Sequence, residues 1–162
     1  MKTKLILILI SLTTILSAQE NKIVKILNDK LNKEIRNFSG VGDSLTLIQP
    51  FQIDENKLLK FQVSKYYFET GETELITQEV TLDKITGFVK DINMIFETEK
   101  DAVKVTNVKY NSNGQEISNE TYNYHLFFTE INKEKDNEYF RDKVLDAFSK
   151  AGYIINSQFW AD

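Results

Sequence analysis

The chain has 162 residues, of which 41% are hydrophobic and 27% charged, a soluble globular composition that excludes a disordered or fibrous protein. It contains no cysteine and a single histidine, His125. That excludes disulfide scaffolds, thiol nucleophiles, iron–sulfur clusters and the usual zinc sites. The formal net charge of −4 argues against a nucleic-acid partner, since that affinity comes from Lys and Arg on phosphates. No metal or cofactor is expected.

Met1-Lys2-Thr3-Lys4 is a short basic start. Leu5 to Leu16 is almost entirely Leu, Ile, Ser and Thr, and Ser17-Ala18 supplies small residues before Gln19-Glu20. Such an order is that of a secretory signal peptide. The apolar run is shorter than the ~20 residues of a spanning helix. The expected organisation is a signal peptide over 1–18 and one α+β domain over 19–162. The mature chain is then exported, periplasmic or secreted, with no membrane span. Export without cysteine suits a bacterial envelope better than an oxidising eukaryotic lumen.

Residues 20–37 read as an amphipathic helix. Ile23, Leu27, Leu31 and Ile35 recur every four residues, with lysines between them. Ser39-Gly40-Val41-Gly42 should end it. From 44 to 128 Val, Ile, Thr, Phe and Tyr dominate and alternate with polar residues, a strand pattern. One hairpin is expected to turn at Thr70-Gly71, setting Tyr66 opposite Leu75, Phe61 opposite Val80 and Leu59 opposite Leu82. A second should turn at Asn113-Gly114, with both turn residues at positive φ. There Tyr110 faces Ile117, Val105 faces Tyr122 and Val103 faces Tyr124. The first pair lies on the opposite face from the other two, so the apolar surface changes sides along this hairpin. Between the hairpins, a turn near Asp83-Lys84 leads into one or two strands ending about Glu97. Pro50 argues against a central strand at that point. Residues 135–151 form a second helix with Tyr139, Phe140, Val144, Leu145 and Phe148 on one face, ended by Gly152. Tyr153 to Trp160 is apolar enough to pack back on the domain.

The expected fold is an antiparallel sheet of six or seven strands with an N-terminal and a C-terminal helix. The element order is similar to pleckstrin-homology-like rolls. A cystatin-like curved sheet is the alternative.

Gly42-Asp43-Ser44-Leu45-Thr46 resembles the short block of the GDSL family of secreted esterases. The resemblance implies Ser44 as nucleophile, with a histidine as base and a carboxylate to orient it. The base would have to be His125. Tyr122 stands three residues before it, where that family has Asp, and the family's Gly-x-Asn-Asp block is absent. Glu72 with Glu74, and Glu97 with Glu99, are spaced to share a strand face. The aromatics are the most suggestive group. Tyr67, Tyr122, Tyr124 and Phe127 lie in strands that carry aromatics on both faces, which points either to a doubly covered sheet or to a ligand cavity.

The function expected from these features is a non-enzymatic exported binding domain. Its partner would be a small apolar ligand, a peptide or another envelope protein. A secreted GDSL-type esterase using Ser44 and His125 is the alternative. Mass spectrometry of the protein from its native host should find residues 1–18 missing; an intact N-terminus in a membrane fraction would overturn the export reading.

Overall fold

The computed structural model describes residues 2–36, 43–132 and 137–161, with side chains of the first helix from Ala18 to Ile35. Helix α1 runs Lys2–Arg36 and α2 runs Glu138–Lys150. Between them lie β1 (Ser44–Ile53), β2 (Leu58–Tyr67), β3 (Glu72–Thr81), β4 (Ile85–Lys90), β5 (Met94–Thr98), β6 (Val103–Tyr110), β7 (Glu116–Tyr124) and β8 (Leu126–Phe128). The fold is α+β. The strands form two antiparallel sheets, of five strands in the order β1-β2-β3-β6-β7 and of three in the order β4-β5-β8.

The split into two sheets departs from the single sheet expected. β3 pairs directly with β6, from Thr73↔Tyr110 to Glu79↔Lys104, so β4 and β5 are excluded from that sheet. A 3-10 turn at Leu82–Lys84, where the Asp83-Lys84 turn was expected, lifts the chain out of it. β7 then bends at His125 into β8, which pairs with β5. The small sheet therefore lies across the inner face of the large one.

The helices follow their periodicity. Ile23, Leu27 and Leu31 of α1 are fully buried, as are Val144, Ala147 and Phe148 of α2. The helical pattern seen from residue 20 lies within α1 and supplies those buried positions. Asn37, the Ser39–Gly42 break and the first turn proposed at 135–136 lie outside the described residues. Gly152 follows α2 at φ +90, the left-handed cap that glycine adopts without strain.

Strand register shows where local rules were outweighed. The first hairpin closes at Tyr67↔Glu72, two residues out of the expected register, and gives Leu59↔Val80 and Val63↔Ile76. The expected register would have set Glu69 against Glu72, a like-charge pair that the four-residue loop 68–71 avoids. A shift of two leaves every side chain on its original face. In the second hairpin Val103↔Tyr124 and Val105↔Tyr122 hold as expected. Near the tip a bulge sets Tyr110 opposite Glu116 instead of Ile117. Only Gly114 takes positive φ there, at +74. Asn111 Oδ1 accepts from the Asn113 and Gln115 backbone N–H groups, so the loop closes on three residues rather than two.

Two amide side chains join the layers. Pro50 sits on edge strand β1, where the ladder to β2 loses register between Gln49 and Gln52. The freed Phe51 backbone is bonded by Asn28 of α1, whose Nδ2 donates to Phe51 O at 2.9 Å and whose Oδ1 accepts from Phe51 N–H at 2.8 Å. Gln78 of β3 does the same for Phe128 of β8: its Nε2 donates to the carbonyl at 2.8 Å and its Oε1 accepts from the N–H at 2.9 Å. Each amide satisfies a backbone donor and acceptor that no strand reaches.

The core is a chain of rings. Phe51 stacks on Phe61 at 4.4 Å, Phe61 meets Phe127 at 5.4 Å, and Phe127 meets Phe96 at 6.2 Å. Phe96 continues to Phe148 of α2 and to Phe88, which touches Phe140 and Trp160. The C-terminal segment packs back as expected, bridging β4 at Gly87↔Asn156 and Lys90↔Trp160. A Cβ on Gly87 would lie 2.5 Å from Glu97 Oε2 and 3.3 Å from Asn156 Oδ1, so glycine permits this approach.

Phe127→Ala should cost about 3–5 kcal/mol of unfolding free energy. Gln78→Ala should cost about 1–3 kcal/mol by orphaning the Phe128 backbone. Urea denaturation of the two variants checks both values.

Candidate binding cleft on the inner face of the large sheet

The β2–β3 and β6–β7 hairpins run on past the small sheet. On their inner face the core series Leu59, Phe61 and Val63 continues into Lys65 and Tyr67. On β3 the same face carries Val80, Gln78, Ile76 and Glu74; on β6, Val103, Val105, Asn107 and Lys109. Apolar residues thus give way to polar ones where the cover ends. This leaves a cleft of about 460 Å³ between the sheet and β8. Ile76, Val105, Tyr122, Tyr124 and Phe128 form its apolar walls, and Lys65, Gln78 and Glu130 its polar groups. Tyr122 is 47% exposed and Tyr124 38%. Tyr124 lies parallel to Phe128 across the bend at His125, ring centres 6.3 Å apart.

The polar floor is tightly paired. Lys65 Nζ lies 2.9 Å from Glu130 Oε1. Glu130 has φ +59, a conformation that costs a non-glycine residue free energy and that is held here by its surroundings. Further along, Tyr67 Oη donates to Glu74 Oε2 at 2.6 Å, and Asn107 Nδ2 donates to Glu74 Oε1. Lys109 Nζ approaches the same carboxylate at 3.7 Å. Burial pushes the Tyr67 phenol up to about 12, with the hydrogen bond to Glu74 and its negative charge adding to the rise. Burial also opposes ionisation of Glu74. The hydrogen bonds from Tyr67 and Asn107 and the charges of Lys109 and Lys65 outweigh it, and its pKa falls below the ordinary carboxylate value. Neither group changes charge near neutral pH, so this network supplies fixed hydrogen-bonding groups rather than an acid or base tuned for proton transfer.

A larger hollow, about 700 Å³, opens beyond Tyr67 at the hairpin end. Asp43, Glu69, Glu72 and Glu74 wall it, with Tyr67, Phe68 and Lys109 beside them. The smaller cleft better fits the usual binding site, an apolar concavity with a few directed polar groups.

The structure distributes the other residues singled out in the sequence. Tyr122 and Tyr124 meet in the cleft, and Tyr67 anchors the neighbouring network. Phe127 does not reach the cleft: it is fully buried among Phe51, Phe61 and Phe96. The bend at His125 puts it in another sheet. Ser44 opens β1 at one edge of the large sheet, paired with Tyr66, and His125 follows β7 at the other edge. Four interstrand steps separate those edges, roughly 19 Å at ~4.8 Å each, before any offset along the strands. No Ser44–His125 pair is assembled. Gly42 of the GDSL-like block lies outside the described residues. Glu74 joins Tyr67, while Glu99 makes an exposed pair with Lys84 at 2.9 Å. Among the described residues no three His, Asp or Glu side chains converge as a metal site. No helix is long and apolar enough there to cross a membrane.

Lys65, Gln78 and Glu130 were not anticipated from the sequence. Lys65 and Gln78 do carry a signal, since each occupies an inward position in a series otherwise apolar: Phe61, Val63, Lys65 and Ile76, Gln78, Val80. Compared with protein-family models, curated proteins and solved structures, the chain has no match.

The shifts of Glu74 and Tyr67 set opposite pH limits. Glu74, lowered by folding, adds stability above the ordinary carboxylate range and loses it as pH falls through its lowered value. Tyr67, raised by folding, adds stability below the ordinary tyrosine range and loses it as pH rises through about 12. Phenolate absorbance should show a tyrosine titrating near 12. Glu74→Gln should bring it part of the way down, because burial, the largest cause, remains.

Proposed function

We propose that this protein is an exported, non-enzymatic binding domain of the bacterial envelope, and that the inner-face cleft holds the apolar part of its ligand. The observation that carries the reading is the placement of Tyr122 and Tyr124. They stand partly exposed opposite Phe128, while the phenylalanines of the same layer are buried. Aromatic walls supply contact area at low entropic cost, and Lys65, Glu130 and Gln78 supply direction. The basic, apolar and small-residue order of 1–18 supports export. The low carboxyl of Glu74 and the high phenol of Tyr67 support recognition over acid–base chemistry.

An amphiphilic fluorescent dye such as anilinonaphthalene sulfonate should bind saturably at one site. Tyr124→Ala should weaken it about tenfold, the effect of ~1.4 kcal/mol, and lower stability by no more than about 1 kcal/mol. Unsaturable binding, or equal binding to the variant, would remove the cleft as the site.

A further inference from the structure

A sheet edge offers unpaired N–H and C=O groups to any extended chain, and proteins ordinarily block it. Three of the four edges here are blocked. β1 carries Pro50 and two breaks of register. The outer side of β4 is bonded by the C-terminal segment, with Phe88 N–H donating to Asn156 O at 2.8 Å and Asn156 N–H to Thr86 O at 3.0 Å. β8 is three residues long, and Gln78 occupies the free side of Phe128. The fourth edge, β7, is different. It keeps register with β6 from Val103↔Tyr124 to Lys109↔Ser118 without a break. It contains no Pro, Lys or Arg. Among the described residues nothing pairs with its outer side.

That edge also borders the cleft. Tyr124, Tyr122 and Glu120 alternate along the inner face of β7, with both tyrosines in the cleft wall. Glu116 and Glu120 are the strand's charged residues, and among the described residues neither has a basic partner. Their polar contacts are with Asn119 and Ser118.

We propose that β7 takes up an extended segment of a partner protein as a sixth, antiparallel strand. Its chemistry follows from the facing row: apolar side chains opposite Tyr124 and Tyr122, and Lys or Arg opposite Glu120. Main-chain hydrogen bonds supply affinity, and the alternate side chains entering the cleft supply specificity. Antiparallel addition suits a sheet already antiparallel throughout. The charge complementarity selects a basic segment over a second copy of this chain, whose own β7 is acidic. This rests on the cleft being the binding site and adds the class of its ligand.

The test uses a capped peptide, Thr-Val-Thr-Val-Thr-Lys-Thr, with the intact mature protein. Saturable binding is expected. N-methylation of one set of alternate amides should weaken it at least tenfold, and methylation of the other set should change it little, because only one set faces β7. Glu120→Lys should reverse the preference, favouring the peptide with Glu in place of Lys. Absence of peptide binding, or equal effects of the two methylated sets, would overturn strand addition. So would a dimer in light scattering that Thr121→Pro makes monomeric, since β7 would then be taken by a second copy. Dye binding measured in parallel separates the two claims. Dye retained by a protein that fails the peptide test leaves the cleft standing, and dye lost as well removes both.

Discussion

Phe127 is the point at which the two sheets become one core. Its ring is fully buried between Phe51 and Phe61 of the large sheet and Phe96 of the small one. The burial requires β8 to lie against the inner face of β3, where it can pair with β5 but not with the large sheet. Phe128 would then carry a bare N–H and C=O into a poorly hydrated layer, at a cost of about 1–3 kcal/mol. Gln78 removes that cost by bonding both groups. The hydrophobic term and the amide clamp act together: without the clamp β8 would bury a bare N–H and C=O, and without Phe127 it would keep its pairing with β5 but lose its ring contacts with Phe51 and Phe61.

The same contact creates the cleft. The chain bends at His125 to reach β8, so Tyr124 and Phe128 end on either side of the turn with parallel rings. The small sheet covers only the first part of the long hairpins. Beyond it the inner face stays open, and inward positions change from Phe and Val to Lys65, Tyr67, Glu74 and Asn107. A buried carboxylate there needs compensation, and Glu74 receives it from two hydrogen bonds and two lysines. The strained backbone at Glu130 aims a second carboxylate at Lys65. Polar groups so restrained keep their directions before any ligand arrives, which lowers the entropy lost on binding.

Much of the architecture was legible locally. Both helices appear where apolar residues recur at helical spacing, and the change of apolar face along the second hairpin is real: Val103 and Val105 point into the core, whereas Tyr110 lies on the other face. Failures arose where a longer-range force competed. The first hairpin avoids the facing of Glu69 and Glu72. The tip of the second trades a two-residue turn for an Asn111-capped loop. Of the candidate aromatics, Tyr122 and Tyr124 reach the cleft and Phe127 does not, though Phe127 stands only three positions after Tyr124.

Periodicity, turn residues and the N-terminal pattern are properties of short segments, so the sequence alone carried the α+β class, the two helices, the strand-rich middle and the expectation of export. The partition into two sheets, the burial of Phe127, the separation of Ser44 from His125 and the place of β7 at the edge of the large sheet were decided only in three dimensions. Each depends on which distant strand wins a pairing contest. β3 could have continued into β4; it pairs with β6 instead, and the two long strands share seven register positions. No local window of sequence contains both strands.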